Sequence, residues 1–106
     1  MESKLEESLI GIQKTRELMP DQVNAFLNFS QKIKTAGAIS EKNKTLILVS
    51  LALFTQCEMC IESNVTHAIS EGASSEEVIE AALLAVSMGG GPKMMYMKFV
   101  HQALEL

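Results

Sequence analysis

The chain has no tryptophan, and its 106 residues include only four phenylalanines and one tyrosine. With so few rings, a core must be filled by aliphatic side chains and methionine, which suits packed helices better than a sheet. Basic charge is also short: nine Lys and Arg stand against 13 Asp and Glu, a net charge of -4. The lysines are scattered, so there is no basic stripe for phosphates, and nucleic acid is excluded as the main partner. The longest nearly apolar run, Leu46 to Phe54, is broken by Ser50 and falls far below the roughly 20 residues that cross a bilayer. The acidic start Met1-Glu2-Ser3-Lys4-Leu5-Glu6-Glu7 lacks the basic, then apolar, pattern of a secretory signal. A soluble, cytoplasmic protein with no membrane partner is expected. Strand-like alternation is absent, as are internal repeats.

What remains is helical from end to end. The length suits one domain, residues 1–106, and 47% hydrophobic residues are enough for a core. A first amphipathic helix is expected from about Lys4 to Leu18. Pro20-Asp21 starts a second, which runs to about Thr35 before Gly37. Ser40 caps a third, Glu41 to Phe54, whose second half is apolar nearly all round and therefore calls for burial on every side, against other subunits as well. Thr55-Gln56-Cys57-Glu58 reads as a capping box with Thr55 as N-cap, opening a fourth helix that stops at Gly72. Ser74-Ser75-Glu76-Glu77 reads as a second box, opening a fifth helix through about Met88. Gly89-Gly90-Gly91-Pro92 breaks the chain before a last helix over about Lys93 to Leu104. The expected class is all-α, one domain of five to six helices.

The only cysteines, Cys57 and Cys60, lie three residues apart, within disulfide reach across one helical turn. A bond between them would staple almost nothing, because closure of long loops is what stabilises. Two uses survive: a reversible two-electron thiol couple, or half of a metal site. Zinc would need two further ligands, and no second Cys-x-x-Cys or His-x3-His is present, although His67 from another subunit could contribute. In a reducing cytosol such a pair is catalytic or metal-binding more often than structural.

From Thr45 to Val86 the chain resembles the carboxymuconolactone decarboxylase-like family, which includes the alkylhydroperoxidase D proteins. The likeness is carried by Leu46-Ile47-Leu48-Val49-Ser50-Leu51-Ala52 leading to Cys57-Glu58-Met59-Cys60, then by Ala68 and Glu71-Gly72-Ala73-Ser74-Ser75-Glu76-Glu77-Val78-Ile79-Glu80-Ala81. The resemblance implies an alkylhydroperoxidase D-like helical domain, assembled as a homo-trimer or homo-hexamer, with the cysteine pair in a pocket near subunit contacts. It also implies thiol-dependent reduction of peroxides or disulfides, with no cofactor beyond the redox-active Cys57–Cys60 disulfide and with a thiol or disulfide reductant as partner. The peroxidase branch carries the pattern Glu-x11-Cys-x2-Cys-x3-His, whose Glu and His relay protons. Here those positions hold Thr45 and Asn64.

On local physics Cys57, in the first turn after a Thr55 cap, is the more thiolate-like sulfur, while Glu58 and Glu62 oppose that by their charge. In the peroxidase relay, a His close to the second cysteine would reverse the order. Asn64 lies on the cysteine stripe and can donate to a thiolate, or can serve the helix alone; it cannot shuttle a proton. His67, about 10.5 Å of rise beyond Cys60, reaches a sulfur only through water or across an interface. Thr45 reads as packing, Glu41 as a possible substitute base, Glu58 as a capping residue and modulator, and His101 as a surface histidine. Met88, Met94, Met95 and Met97 read as adaptable core or oligomer contact rather than a soft-metal site, and the glycines as an interhelix turn without a phosphate-loop lysine. The expected function is thiol–disulfide oxidoreductase, acting on disulfides or weakly on peroxides. The alternatives are a lactone-acid decarboxylase, for which His67 and Lys44 could bind a carboxylate, and a non-catalytic oligomeric scaffold.

Overall fold

The computed structural model describes residues 4–106, and among them all regular structure is helical. The elements are α1 (Lys4–Leu18), α2 (Pro20–Lys34), α3 (Glu41–Phe54), α4 (Glu58–Ser70), α5 (Ser75–Gly89), α6 (Gly91–Met95) and α7 (Met97–Leu104). The all-α class and the helix order match the expectation, with the last helix divided at Tyr96 into α6 and α7.

Local chemistry accounts for most boundaries. Pro20 opens α2, where its missing N–H costs nothing. At the other end, the Lys44 ammonium donates to the carbonyls of Ile33 (2.8 Å) and Thr35 (2.7 Å), bringing positive charge to the negative end of that helix. Lys44 is therefore committed to tying α2 to α3, not presented to a substrate carboxylate. Ser40 caps α3 through Asn43 N–H, and Ser74 with Glu77 forms a complete capping box on α5. Gly72, at φ 91°, ends α4: its N–H goes to Ile69 O, and Ala73 N–H reaches back to Ala68 O. These paired bonds satisfy carbonyls that a helix end otherwise leaves open.

One boundary corrects the expectation. Thr55 does not cap α4; it ends α3, its hydroxyl donating to Leu51 O (3.0 Å) and Ala52 O (3.2 Å). The α3 apolar run continues into the fully buried Leu53, so the helix needs its last turn and takes Thr55 to finish it. Gln56 then turns the chain at φ 55°, and Cys57 becomes the N-cap of α4. Glu58 is thus the first helical residue and not the third, which removes its capping role.

The core lies among α3, α4, α5 and α7. Val49, Leu53, Ile61, Val65, Val78 and Val100 are fully enclosed, each contributing roughly 1.5–3 kcal/mol by leaving water. Ala52, Ala68, Ala82, Ala85 and Ala103 fill the remaining contacts with small side chains, letting the helices approach closely. Of the late methionines only Met97 is buried; Met88, Met94 and Met95 are exposed. Helices α1 and α2 bury no residue, although Leu9, Ile12, Phe26, Phe29 and Ile33 lie along them. The far face of α3 likewise leaves Ile47, Leu51 and Phe54 exposed.

Candidate functional site

Cys57 and Cys60 are joined by a disulfide at the start of α4, with Cα atoms 5.2 Å apart, inside the span that such bonds require. Three neighbours fix Cys57. Its N–H bonds to Ala52 O at 3.2 Å, its carbonyl takes the first intrahelical bond from Ile61, and its Sγ accepts the Cys60 N–H at 3.3 Å. Cys57 is half-buried and Cys60 is exposed. Once the bond is reduced, a thiolate on Cys57 would sit on the positive end of the helix dipole with a backbone donor already aimed at it. The nearest acid, Glu58, is drawn toward Lys4 Nζ at 3.2 Å, which offsets part of its negative charge.

The other sequence candidates divide into two groups. Thr45, in the second turn of α3, and Asn64, one turn beyond Cys60 on α4, are both engaged with backbone. Thr45, buried at 2% exposure, donates to Glu41 O at 2.9 Å, and Asn64 Nδ2 donates to Cys60 O at 2.9 Å. Farther along, His67 stands between Glu41 (3.9 Å) and Glu71 (3.8 Å), in the last turn of α4 against the first turn of α3. These three groups could jointly offer an imidazole and two carboxylates to a cation, with ligand atoms within 4.8 Å of one another. Their side chains are 31–45% exposed, which equally suits a solvated histidine paired with acids. The structure brings Glu41 and His67 together without bringing either to the sulfurs. His101 is exposed on α7 beside Ser75, Glu76 and Leu83.

Two residues at the site escape a sequence reading. Gln56 sits in the left-handed region directly before Cys57, and its Oε1 accepts a bond from Lys93 Nζ at 2.6 Å. The same ammonium lies 5.1 Å from the centre of the Phe54 ring. The partners are 37 positions apart, so no spacing rule connects them. A groove of about 270 Å³ opens between the start of α4 and α7, lined by Lys4, Glu58, Met59, Glu62, Phe99 and Gln102 among others but by neither cysteine.

With this geometry in view, comparison with known proteins is direct. The model of the carboxymuconolactone decarboxylase family matches residues 20–102, which includes every helix from α2 to α6 and most of α7. The chain belongs to the carboxymuconolactone decarboxylase family. An apo protein of this family from Legionella pneumophila is 33% identical and superposes with a TM-score of 0.88 over 93% of this chain and 88% of that one. A family member from Thermotoga maritima, raised as a candidate in the antioxidative response, is 25% identical with a TM-score of 0.69, covering 79% of this chain and 91% of its own. Among curated relatives, uncharacterized protein 4 in the cox locus of Paracoccus denitrificans is 41% identical over 68 residues, 64% of this chain. That match spans 61% of the Paracoccus protein's length. An uncharacterized protein of Cupriavidus necator is 29% identical over 80 residues, 76% of this chain and 71% of its own. Family membership agrees with the resemblance carried by the Thr45–Val86 text. No helix among the described residues is long and apolar enough to cross a membrane.

Proposed function

We propose that this family member is a thiol–disulfide oxidoreductase that cycles Cys57 and Cys60 between dithiol and disulfide. The observation that carries the reading is the placement of Cys57 Sγ as the α4 N-cap, bonded to Cys60 while accepting its N–H. In the forward reaction the Cys57 thiolate attacks one sulfur of a substrate disulfide and expels the other as a thiolate. Cys60, deprotonated, then attacks Cys57 Sγ, releases the second substrate thiolate and closes the Cys57–Cys60 bond. Two electrons pass to the substrate, and the leaving thiolates take up the two protons lost by the cysteines. A dithiol reductant reverses these steps on the protein and restores the pair.

Disulfides are the favoured substrates over peroxides. Cleavage of a peroxide expels an alkoxide or hydroxide, which needs a proton from a nearby acid. The hydroxyl of Thr45 and the amide of Asn64 occupy the relay positions and are spent on backbone carbonyls. A thiolate leaving group is stable enough to depart without that help. The reading includes assembly as a homo-oligomer, supported by the exposed apolar side chains of α1, α2 and the outer face of α3, which a second copy would cover.

Thiol titration before and after mild oxidation, with mass spectrometry for the intrachain bond, tests the reading. Reversible loss of both thiols and disulfide-reductase turnover that disappears in Cys57→Ser and Cys60→Ser is the expected result. Turnover surviving both substitutions would refute thiol cycling, and thiols of ordinary reactivity with no turnover at all would move the protein to the scaffold class.

A further inference from the structure

Two residues near the cysteines are poor choices locally. Gln56 holds a left-handed turn, φ 55°, that glycine or asparagine would occupy at lower cost. Gly89 has no positive φ, so its backbone does not call for glycine. Both are explained by Lys93. A Cβ on residue 89 would collide with Cγ of Lys93 and come within 2.8 Å of its Cε, so only glycine lets the lysine stem lie there. The stem then delivers the ammonium to Gln56 Oε1 at 2.6 Å, with the Phe54 ring beneath it. This contact is half-buried, which strengthens a charge-assisted bond relative to one in open water.

We propose that Lys93 is a positioning residue for the Cys57–Cys60 couple, acting through Gln56: it pins the left-handed corner that makes Cys57 the N-cap and seats its ammonium on the side chain of the residue that precedes Cys57. Retaining glutamine in a strained position is useful only if its side chain is used, and Lys93 is the group that uses it. A fixed cap and a nearby cation both favour thiolate over thiol, and so favour the reduced pair. This rests on the redox reading above, and its test is separable because it reads the sulfur's ionisation and not turnover.

The experiment follows pH-dependent alkylation of Cys57 in a Cys60→Ser background, and the disulfide equilibrium of the intact pair with dithiothreitol. Lys93→Met keeps most of the apolar stem but loses the charge, the donor and the ammonium's contact with the Phe54 ring. It should raise the alkylation midpoint by about 0.5 pH and move the equilibrium about threefold toward the disulfide. Lys93→Arg, which can still donate to Gln56, should restore most of both. Gln56→Gly should move both readings the same way as Lys93→Met while leaving thermal stability unchanged or higher, a split that a purely structural contact would not produce. Unchanged midpoints and equilibria in Lys93→Met and Gln56→Gly overturn the inference. Shifted midpoints in a protein that lacks reductase turnover would uphold the clamp and refute the oxidoreductase reading instead.

Discussion

Helices α4 and α5 open on the same frame and fill it with different chemistry. At α5, Ser74 Oγ accepts the Glu77 N–H at 3.1 Å, and the Glu77 carboxylate accepts the Ser74 N–H at 2.9 Å. At α4, Cys57 Sγ accepts the Cys60 N–H at 3.3 Å, and Cys60 stands where α5 has its glutamate. The left-handed residue that follows the preceding helix's C-cap is, for α5, Gly72 at φ 91°, two before the Ser74 cap, and, for α4, Gln56 at φ 55°, directly before the Cys57 cap. Every slot at α5 holds the residue that stabilises it most. At α4 sulfur replaces hydroxyl, sulfur replaces carboxylate and an amide side chain replaces glycine. A Cys-x-x-Cys pair here is a capping box whose two side chains can bond each other, and the site trades local stability for that chemistry.

The largest effect separates the two starts by function. Cys57→Ser should cut disulfide-reductase turnover at least about a hundredfold, because the nucleophile is gone. It should nonetheless leave the reduced protein's melting temperature unchanged or slightly raised, since serine is a good N-cap. A large loss of stability would mean that Cys57 is mainly structural, and the comparison would fail.

Next in size, Ser74→Ala should cost about 1 kcal/mol, a fall of roughly 4–8 °C for a domain of this length, with thiol reactivity unaltered. The two turn residues should then respond in opposite directions. Gly72→Ala should destabilise by about 1 kcal/mol and Gln56→Gly should stabilise by up to about that amount, as read from urea midpoints. Equal destabilisation by both would show that the Lys93–Gln56 contact more than offsets the strain at Gln56.

The contrast also explains what was legible in the sequence. Ser40, Ser74 with Glu77, Pro20 and Gly72 are strong local signals with no competitor, and the helices they delimit stand where the chain predicts them. Thr55-x-x-Glu58 is an equally good signal on paper, but the buried end of α3 claims Thr55 first. The cysteine motif and the family text were readable, and so was the absence of a relay at Thr45 and Asn64. The Lys93–Gln56 and Lys4–Glu58 contacts were not, because their partners are 37 and 54 positions apart and meet only through tertiary packing. Nor does Gly89 announce its purpose: inside a run of glycines it reads as a turn, whereas its bare Cα makes room for Lys93.

The smallest expected effect concerns acid. The Glu77 carboxyl is held below its usual 4.5, first by the Ser74 backbone N–H that it accepts and then by Lys42, whose ammonium lies 3.0 Å away. A carboxyl whose folded pKa is depressed contributes stability above its unfolded value and loses it as pH falls through the folded one. Glu77→Gln should therefore be less stable than the parent chain by a constant margin from neutrality down to about pH 5, and the margin should close below the ordinary carboxylate range. Because the Glu77 side chain and its Lys42 partner are both partly open to solvent, added salt should shrink the Lys42 part of that margin. Urea midpoints at several pH values read this directly, and a margin that widens on acidification would contradict it. Helix α4 offers no counterpart, since its third position is Cys60 and its cap interaction has no carboxylate to protonate. Acid should thus loosen the start of α5 before that of α4, and reductant should act on α4 alone.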